Sequence, residues 1–400
     1  MAKPRLLIVL NRLSVGGPAS NTLALAHALC NEFDILLIAG KPVHGEESAE
    51  YLLQQYTGFK VQILPSIKHA VLPFDDYHAY HQIKKIVKEF KPQIIHTHGS
   101  KPGVLARVAA WRCKVPVIVH TYHGHVFHSY FHSFVSGIIV RIERWLAKHS
   151  TFIVAINERL KNELTEVYKI APAQKIILNR LGIEAQKFSD AAGNKRRQFR
   201  NQFQINDDVF AIGIIGRLVP VKQHSLFIHL AEQLLQLNPA TKSLKFFIVG
   251  DGDEKPKLKL LLQQKRIAYT ETGAHFSSNE PLIFTSWQKE MDVALAGLDL
   301  VVLTSLNEGT PVSIMEAMSA GKPVVASNVG GIAELFQDNA NGLLFNTPVE
   351  MVEKMQNLIN TPSLLSSLSS NAASFARAHL SLENQVFELK SAYLQHLFRS

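Results

Sequence analysis

Cysteine is nearly absent from this chain: Cys30 and Cys113 are the only two in 400 residues. So few exclude a disulfide framework, and both fall in helix-like stretches. Long apolar runs are missing as well. None approaches the ~18 residues that a spanning helix requires, and the longest are strand-sized, such as residues 6–10. That run is too short for a secretory core and lacks a small-residue cleavage site after it, so the cytoplasm is the expected compartment. No helix-turn-helix, zinc-finger or RNP pattern occurs, so nucleic acid is not an expected partner. Acidic residues are in deficit, 33 against 42 basic ones, and the net charge of +9 calls for an anionic partner. A nucleotide substrate and an anionic membrane surface both satisfy it. With 46% hydrophobic and 19% charged residues, the chain is globular and long enough for two domains.

Short apolar runs alternate with helical patterns, the signature of parallel α/β units. Strands are predicted at 6–10, 35–39, 61–64, 94–97, 117–121, 152–156 and 176–178 in the first half. The second half carries them at 210–215, 246–249, 282–285, 300–303, 324–326 and 343–345. Residues 186–200 are polar and basic without an apolar period, which places a linker near 184–190. The expected organisation is a domain over 1–184, a second over 185–381, and a helix over 382–400 leaning back on the first. Two stretches mix cations with apolar side chains. Residues 81–91 set Lys84, Lys85, Lys88 and Lys91 beside Ile83, Ile86 and Val87. Residues 131–148 set Phe131, Phe134, Val135, Ile138, Ile139 and Trp145 beside Arg141, Arg144 and Lys148. Both fit membrane-surface helices, and both equally fit core-facing helices with a solvated basic face.

The most specific segment is Asn307-Glu308-Gly309-Thr310-Pro311-Val312-Ser313-Ile314-Met315-Glu316-Ala317-Met318. Thr310 suits an N-cap and Pro311 the first helical position. The amides of Val312 and Ser313, at the positive end of the helix, then suit a diphosphate, with Gly309 and Thr310 in the loop beside it. Ser313, Glu316, Ala317 and Ala320 fall on one helix face. Glu316 is placed to accept from vicinal ribose hydroxyls and Glu308 to reach a sugar. Upstream, Gly216-Arg217-Leu218-Val219-Pro220-Val221-Lys222 follows a strand. Its Arg217 fork and Lys222 point charge are suited to clamp a diphosphate and to neutralise a nucleoside diphosphate as it leaves.

Gly16-Gly17-Pro18 after the first strand and Gly250-Asp251-Gly252-Asp253 after a later one are further turns where backbone amides meet an anion. The first is not Gly-x-Gly-x-x-Gly, which argues against a dinucleotide dehydrogenase. Asp251 and Asp253 read as solvated turn carboxylates. Histidine is dense at His120, His123, His125, His128 and His132, with His96 and His98 on the preceding strand. The spacing fits no closed tetrahedral zinc pattern, so no metal is expected. His123, at a strand end, is suited to hydrogen-bond a sugar.

Together these residues resemble the retaining glycosyltransferases of family 4. The resemblance runs through the whole chain in order: Gly16-Gly17, Ile95-His96-Thr97-His98-Gly99, Thr121-Tyr122-His123-Gly124, Leu181-Gly182-Ile183 to Phe188, Gly216-Arg217-Leu218 with Lys222, Gly250-Asp251-Gly252, Phe284 to Trp287, and Glu308 with Glu316. It implies a GT-B fold, two Rossmann-like doubly wound parallel-sheet domains facing a central cleft. It implies a first domain that binds the acceptor and a second that binds the donor, a nucleoside-diphosphate sugar with uridine as the default base. It implies that Arg217 and Lys222 hold the diphosphate, Glu316 the ribose and Glu308 the sugar, with Gly17 behind the phosphates and His123 on the sugar. No cofactor is implied. The acceptor is a glycan or a lipid-linked molecule, as in cell-envelope polysaccharide synthesis, and the enzyme is peripheral on the inner membrane face if its basic helices bind there. Glu184 stands where aspartate is common, and Gln223 where glycine or asparagine is usual. Same-face attack is expected, because no carboxylate of the first domain is identified for a covalent intermediate. Two rivals stay open: a UDP-sugar epimerase of the same fold, and a non-catalytic anion- or membrane-binding protein.

Overall fold

The computed structural model describes residues 3–43, 45–68, 72–124, 133–189, 193–237, 243–273, 276–337 and 339–398. His125, His128, Phe131, His132 and Asp190 lie outside the described residues, as does the side chain of Phe134. The chain forms two compact units, Met1–Gly182 with Leu382–Ser400, and Ile183–Ser381.

In the first unit, seven strands run in chain order as β1 (Arg5–Arg12), β2 (Asp34–Gly40), β3 (Lys60–Ile63), β4 (Ile94–His98), β5 (Val117–Tyr122), β6 (Phe152–Ala155) and β7 (Ile176–Leu178). They pair in the spatial order 3-2-1-4-5-6-7, every pair parallel. The second unit repeats the plan with β8 (Phe210–Ile215), β9 (Leu244–Val249), β10 (Tyr269–Glu271), β11 (Leu282–Ser286), β12 (Leu300–Leu303), β13 (Val324–Ser327) and β14 (Leu343–Phe345). Its order is 10-11-9-8-12-13-14, again all parallel. Helices cover both faces of each sheet, which is why strands such as β5, β8 and β9 are buried at every position.

In the first unit, helices Gly17–Leu29 and Leu382–Leu397 share one core with Leu6, Ile8, Val117 and Phe152. Helices Pro73–Phe90 and Ser100–Arg112 cover the opposite face over Leu7, Val9, Ile95 and Ile118. The chain's last helix is fastened by polar groups as well as by packing. The Gln385 carboxamide oxygen accepts from Asn21 Nδ2 and from the Gly182 amide, both at 2.9 Å. Tyr393, fully buried, shares a 2.5 Å hydrogen bond with His96 Nδ1.

Beyond the linker expected near 184–190, the polar, basic stretch holds the helix Asn194–Gln202, whose Phe199 is buried and whose Arg200 guanidinium bonds the carbonyls of Asn206 and Val209 and the carboxylate of Asp299. A few well-placed anchors replace an apolar period there. The edge strand β10 was not foreseen, because three residues with alternating polarity leave no strand-length signal. Cys30 and Cys113 are free, each at a helix C-terminus.

Replacing Tyr393 by Phe leaves a buried imidazole nitrogen without its partner, so unfolding should be easier by about 1–3 kcal/mol. A urea midpoint equal to wild type would show that this hydroxyl contributes nothing.

Candidate functional site

Both sheets reverse strand order beside their first strand, at β1/β4 and at β8/β12, and the carboxyl ends of parallel strands at such points are where ligands bind in doubly wound folds. In the second unit, loops leaving β8 and β9 lie against each other. The Gly216 amide donates to Val249 O at 3.0 Å and the Leu218 amide to Asp251 O at 2.9 Å. Gly250 has φ 137°, and a Cβ there would stand 2.2 Å from Gly216 O, so only glycine allows this approach. Arg217 is exposed, next to the fully buried Leu218. Asp251 corrects the solvated-turn reading. Its Oδ1 accepts from the Gly252 amide, and its Oδ2 from Ser286 Oγ at 2.8 Å and Lys255 Nζ at 2.9 Å. Burial alone would raise this carboxyl, yet Lys255, Gly252 and Ser286 hold it below the usual range. Asp253 is exposed.

Lys222 ends a short turn, Pro220–Lys222, that is strapped to the exit of β12. Thr304 Oγ1 donates to the carbonyls of Lys222 and Gln223, both at 2.9 Å, and the Leu306 amide to Val221 O at 2.8 Å. This strap brings Lys222 Nζ to 2.5 Å from Glu308 Oε1, which also accepts from Ser305 Oγ at 2.6 Å. The Glu308 backbone is held in turn: its carbonyl accepts from the Gly331 amide at 3.1 Å, and a Cβ at Gly330, where φ is 57°, would fall 1.8 Å from it. Ser305 and the Gly330-Gly331 pair were missed in the sequence. The glycine pair three residues beyond β13 was the available signal.

The helix over Val312–Ser319 begins one residue later than predicted, with Pro311 as N-cap in place of Thr310. Pro311 O accepts from the Ile314 and Met315 amides and is thus the first helical carbonyl, while Pro311 itself keeps extended backbone. Val312 and Ser313 therefore occupy the first turn, where amides have no intrahelical acceptor. Gly309 and Thr310 form the loop before it. Ala317 is fully buried and does not share the outward face of Ser313, Glu316 and Ala320, all half-buried. The Glu316 carboxyl is pushed up to about 7, first by burial; Lys187 opposes the shift and Asp292 adds to it.

Gly16, Gly17 and His123 belong to the first unit. Gly16 caps the helix Gly17–Leu29, and its carbonyl accepts from the Ser20 amide at 3.1 Å. His123 follows β5, and its Nε2 shares a 2.9 Å hydrogen bond with His98 Nδ1. The His98 ring lies tilted against His96 with centroids 4.2 Å apart, and the other nitrogen of His96 meets Thr121 Oγ1 at 2.6 Å. Thr97 Oγ1 meets His120 Nδ1 at 2.8 Å. Burial holds all four imidazoles neutral, His96 down to about 3 and His123 to about 4. An imidazole pair can share a proton only while one ring is neutral, so the low values and the His98–His123 bond support each other. Among the described residues no group of three or more His, Cys, Asp or Glu is arranged to hold a metal ion. Asn11 and Arg12, at the end of β1, were not foreseen. Asn11 Oδ1, Arg12 Nε and Nη1, and His98 Nε2 are buried without hydrogen-bond partners, and Asn11 lies against Gly99 at the end of the adjacent β4.

Two family matches divide the chain between them: Glycosyltransferase Family 4 over residues 15–187 and Glycosyl transferases group 1 over residues 195–375. A UDP-Gal:alpha-D-GlcNAc-diphosphoundecaprenol alpha-1,3-galactosyltransferase of Escherichia coli is 30% identical over 314 residues, 78% of this chain and 76% of the relative. The chain belongs to glycosyltransferase family 4. It is a glycosyltransferase that uses a nucleotide-sugar donor. A more distant relative, the poly(ribitol-phosphate) alpha-N-acetylglucosaminyltransferase of Staphylococcus aureus, is 25% identical over 72% of this chain and 53% of its own length. The fold is GT-B. HepE of Anabaena, solved with UDP and glucose, superposes with a TM-score of 0.77 at 18% identity over 97% of this chain and 99% of its own. Sucrose-phosphate synthase from Thermosynechococcus elongatus does so with 0.79 at 16% identity over all of both chains.

The neutral histidines make the glycosyltransferase acid-labile. Their folded values lie below the ordinary ~6.5 of the unfolded chain, so their contribution is full above that pH and is lost as pH falls toward 4 and below. Within that window each should cost about 1.4 kcal/mol per pH unit. Unfolding free energies that stay flat from pH 6.5 to 4.5 would contradict the assignment.

Proposed function

We propose that this glycosyltransferase moves a hexosyl group from a UDP-sugar to a lipid-linked acceptor with retention of configuration, at the cytoplasmic face of a membrane. The observation that carries the reading is the Lys222–Glu308 pair at 2.5 Å, on the same unit as the helix that presents Glu316. A cation suited to a diphosphate stands beside a carboxylate suited to a sugar hydroxyl. The donor class draws support from the Escherichia coli relative, named for UDP-Gal, and from HepE with UDP and glucose. The acceptor class draws support from the diphosphoundecaprenol in that relative's name.

On this reading Arg217 and Lys222 neutralise the departing diphosphate, and the amides of Val312 and Ser313 receive its oxygens. Gly216 and Gly250 let the β8 and β9 loops approach each other, and Gly309 and Thr310 lead into the helix. Glu316 accepts from the ribose hydroxyls and Glu308 from the sugar. The acceptor lies on the first unit, whose Gly16-Gly17 turn, His123 and unpartnered polar atoms of Asn11, Arg12 and His98 supply hydrogen bonds for it. The acceptor oxygen attacks the face from which the diphosphate leaves, and a phosphate oxygen takes its proton. Among the described residues no helix is long and apolar enough to cross a membrane.

A thermal-shift panel of UDP, GDP and ADP tests the donor; ligand at a hundredfold its Kd adds about 2.7 kcal/mol. UDP should give the largest shift, and Glu316→Gln should weaken it about tenfold to a hundredfold. The pH dependence is a sharper check. With the unliganded carboxyl at about 7, wild type should gain UDP affinity relative to Glu316→Gln as pH rises from 6 to 8. The same raised value means that wild type loses stability relative to the variant across that rise. Parallel affinity curves for the two proteins would remove Glu316 from the ribose.

A further inference from the structure

The helix Ser133–His149 turns an apolar row outward: Val135, Ile138, Ile142 and Trp145 are each 40–42% exposed. The spacing of three, four and three residues sets them in one stripe. Trp111, at the end of the neighbouring helix Ser100–Arg112, extends it. Its ring stands edge-on to Trp145 with centroids 5.4 Å apart, and His149 closes the cluster at 4.4 and 4.5 Å from the two indoles. Beside the row, Arg141, Arg144 and Lys148 are exposed. The helix has one carboxylate, Glu143, and it is buried, accepting from Arg107 Nη2 at 2.7 Å and from the Tyr122 hydroxyl at 2.5 Å. The inner side of the helix is thereby fixed to its unit, and its exposed side chains are apolar or cationic, Arg144 also donating from Nε and Nη2 to Tyr168 O.

What covers such a face follows from its charge. A second copy related by a two-fold axis would bring the cationic rows alongside each other, with no carboxylate to separate them. A nucleic acid would satisfy the cations and leave the apolar row in water. An anionic bilayer satisfies both, with phosphates against Arg141, Arg144 and Lys148, apolar side chains at the acyl boundary, and the two indoles at headgroup depth. We propose that this face docks the protein on an anionic lipid surface. The inference deepens the lipid-linked acceptor reading, on which it rests, by naming the element that meets the lipid.

Co-sedimentation with vesicles of phosphatidylglycerol and phosphatidylethanolamine, against vesicles of phosphatidylcholine alone, tests it. Wild type should partition to the anionic vesicles and be released by salt. Ile142→Glu should lower partitioning about tenfold, Arg141→Glu with Lys148→Glu by at least as much, and Ile142→Leu should restore it. All these side chains are exposed, and an unchanged UDP thermal shift in each variant confirms that it is folded. That shift also separates the two readings, since the donor site can succeed while the docking face fails. No partitioning of wild type, or equal partitioning of Ile142→Glu, overturns the proposal. So does a dimer in sedimentation velocity that Ile142→Glu dissolves, because the occupant is then a second copy.

Discussion

Within each sheet every strand runs in the same direction, and both faces are covered by helices. Parallel pairing forces each return through a crossover, most often a helix, so every strand ends on the same edge and the sheet interior must be apolar. Polar chemistry has one place to go, the loops at the carboxyl ends. Gly16, His98 and His123 emerge there in the first unit, and Arg217, Lys222, Asp251 and Glu308 in the second. Lys222 and Glu308 are 86 positions apart, yet they follow β8 and β12, which are adjacent in the sheet, and that adjacency makes them partners.

Desolvation then sets the ionisation of these groups, with different results in the two units. In the first, four imidazoles stay neutral because burial outweighs any partner, and they bond one another, Thr97, Thr121 and Tyr393. In the second, Asp251 is half-buried too, but Lys255 and two further donors keep it ionised. Glu316 lacks such compensation and its carboxyl rises to about 7. The same carboxyl chemistry thus takes opposite shifts on one unit, decided by donors within reach.

Much of the fold was legible because buried parallel strands leave an unmistakable mark, short runs such as 6–10 and 210–215 with every residue apolar. The exceptions are instructive. β10 is an edge strand and needs no such run. The helix Asn194–Gln202 hides its register because Arg200 is buried by bonding carbonyls and Asp299, a solution that hydropathy reads as solvent-facing. Thr310 was read as the N-cap from its hydroxyl, whereas the backbone of Pro311 decides where the helical carbonyls begin. Asn11 and Arg12 carry no motif of their own, and their interest comes from standing beside β4 with buried atoms left unpartnered.

The sequence by itself determined the two α/β units, most of the strand spans, and the residue types gathered near strand ends, since periodicity and glycine turns act over a few positions. Only the tertiary structure decided that Lys222 meets Glu308, that Asp251 is held by Ser286 and Lys255, and that Tyr393 reaches His96 across 297 positions. It also decided that Glu143 turns inward and leaves its helix an outer face of apolar and cationic side chains. Pairings of this kind depend on strand order and helix rotation, which the packing of remote segments fixes, and on burial, which no residue carries in its own identity.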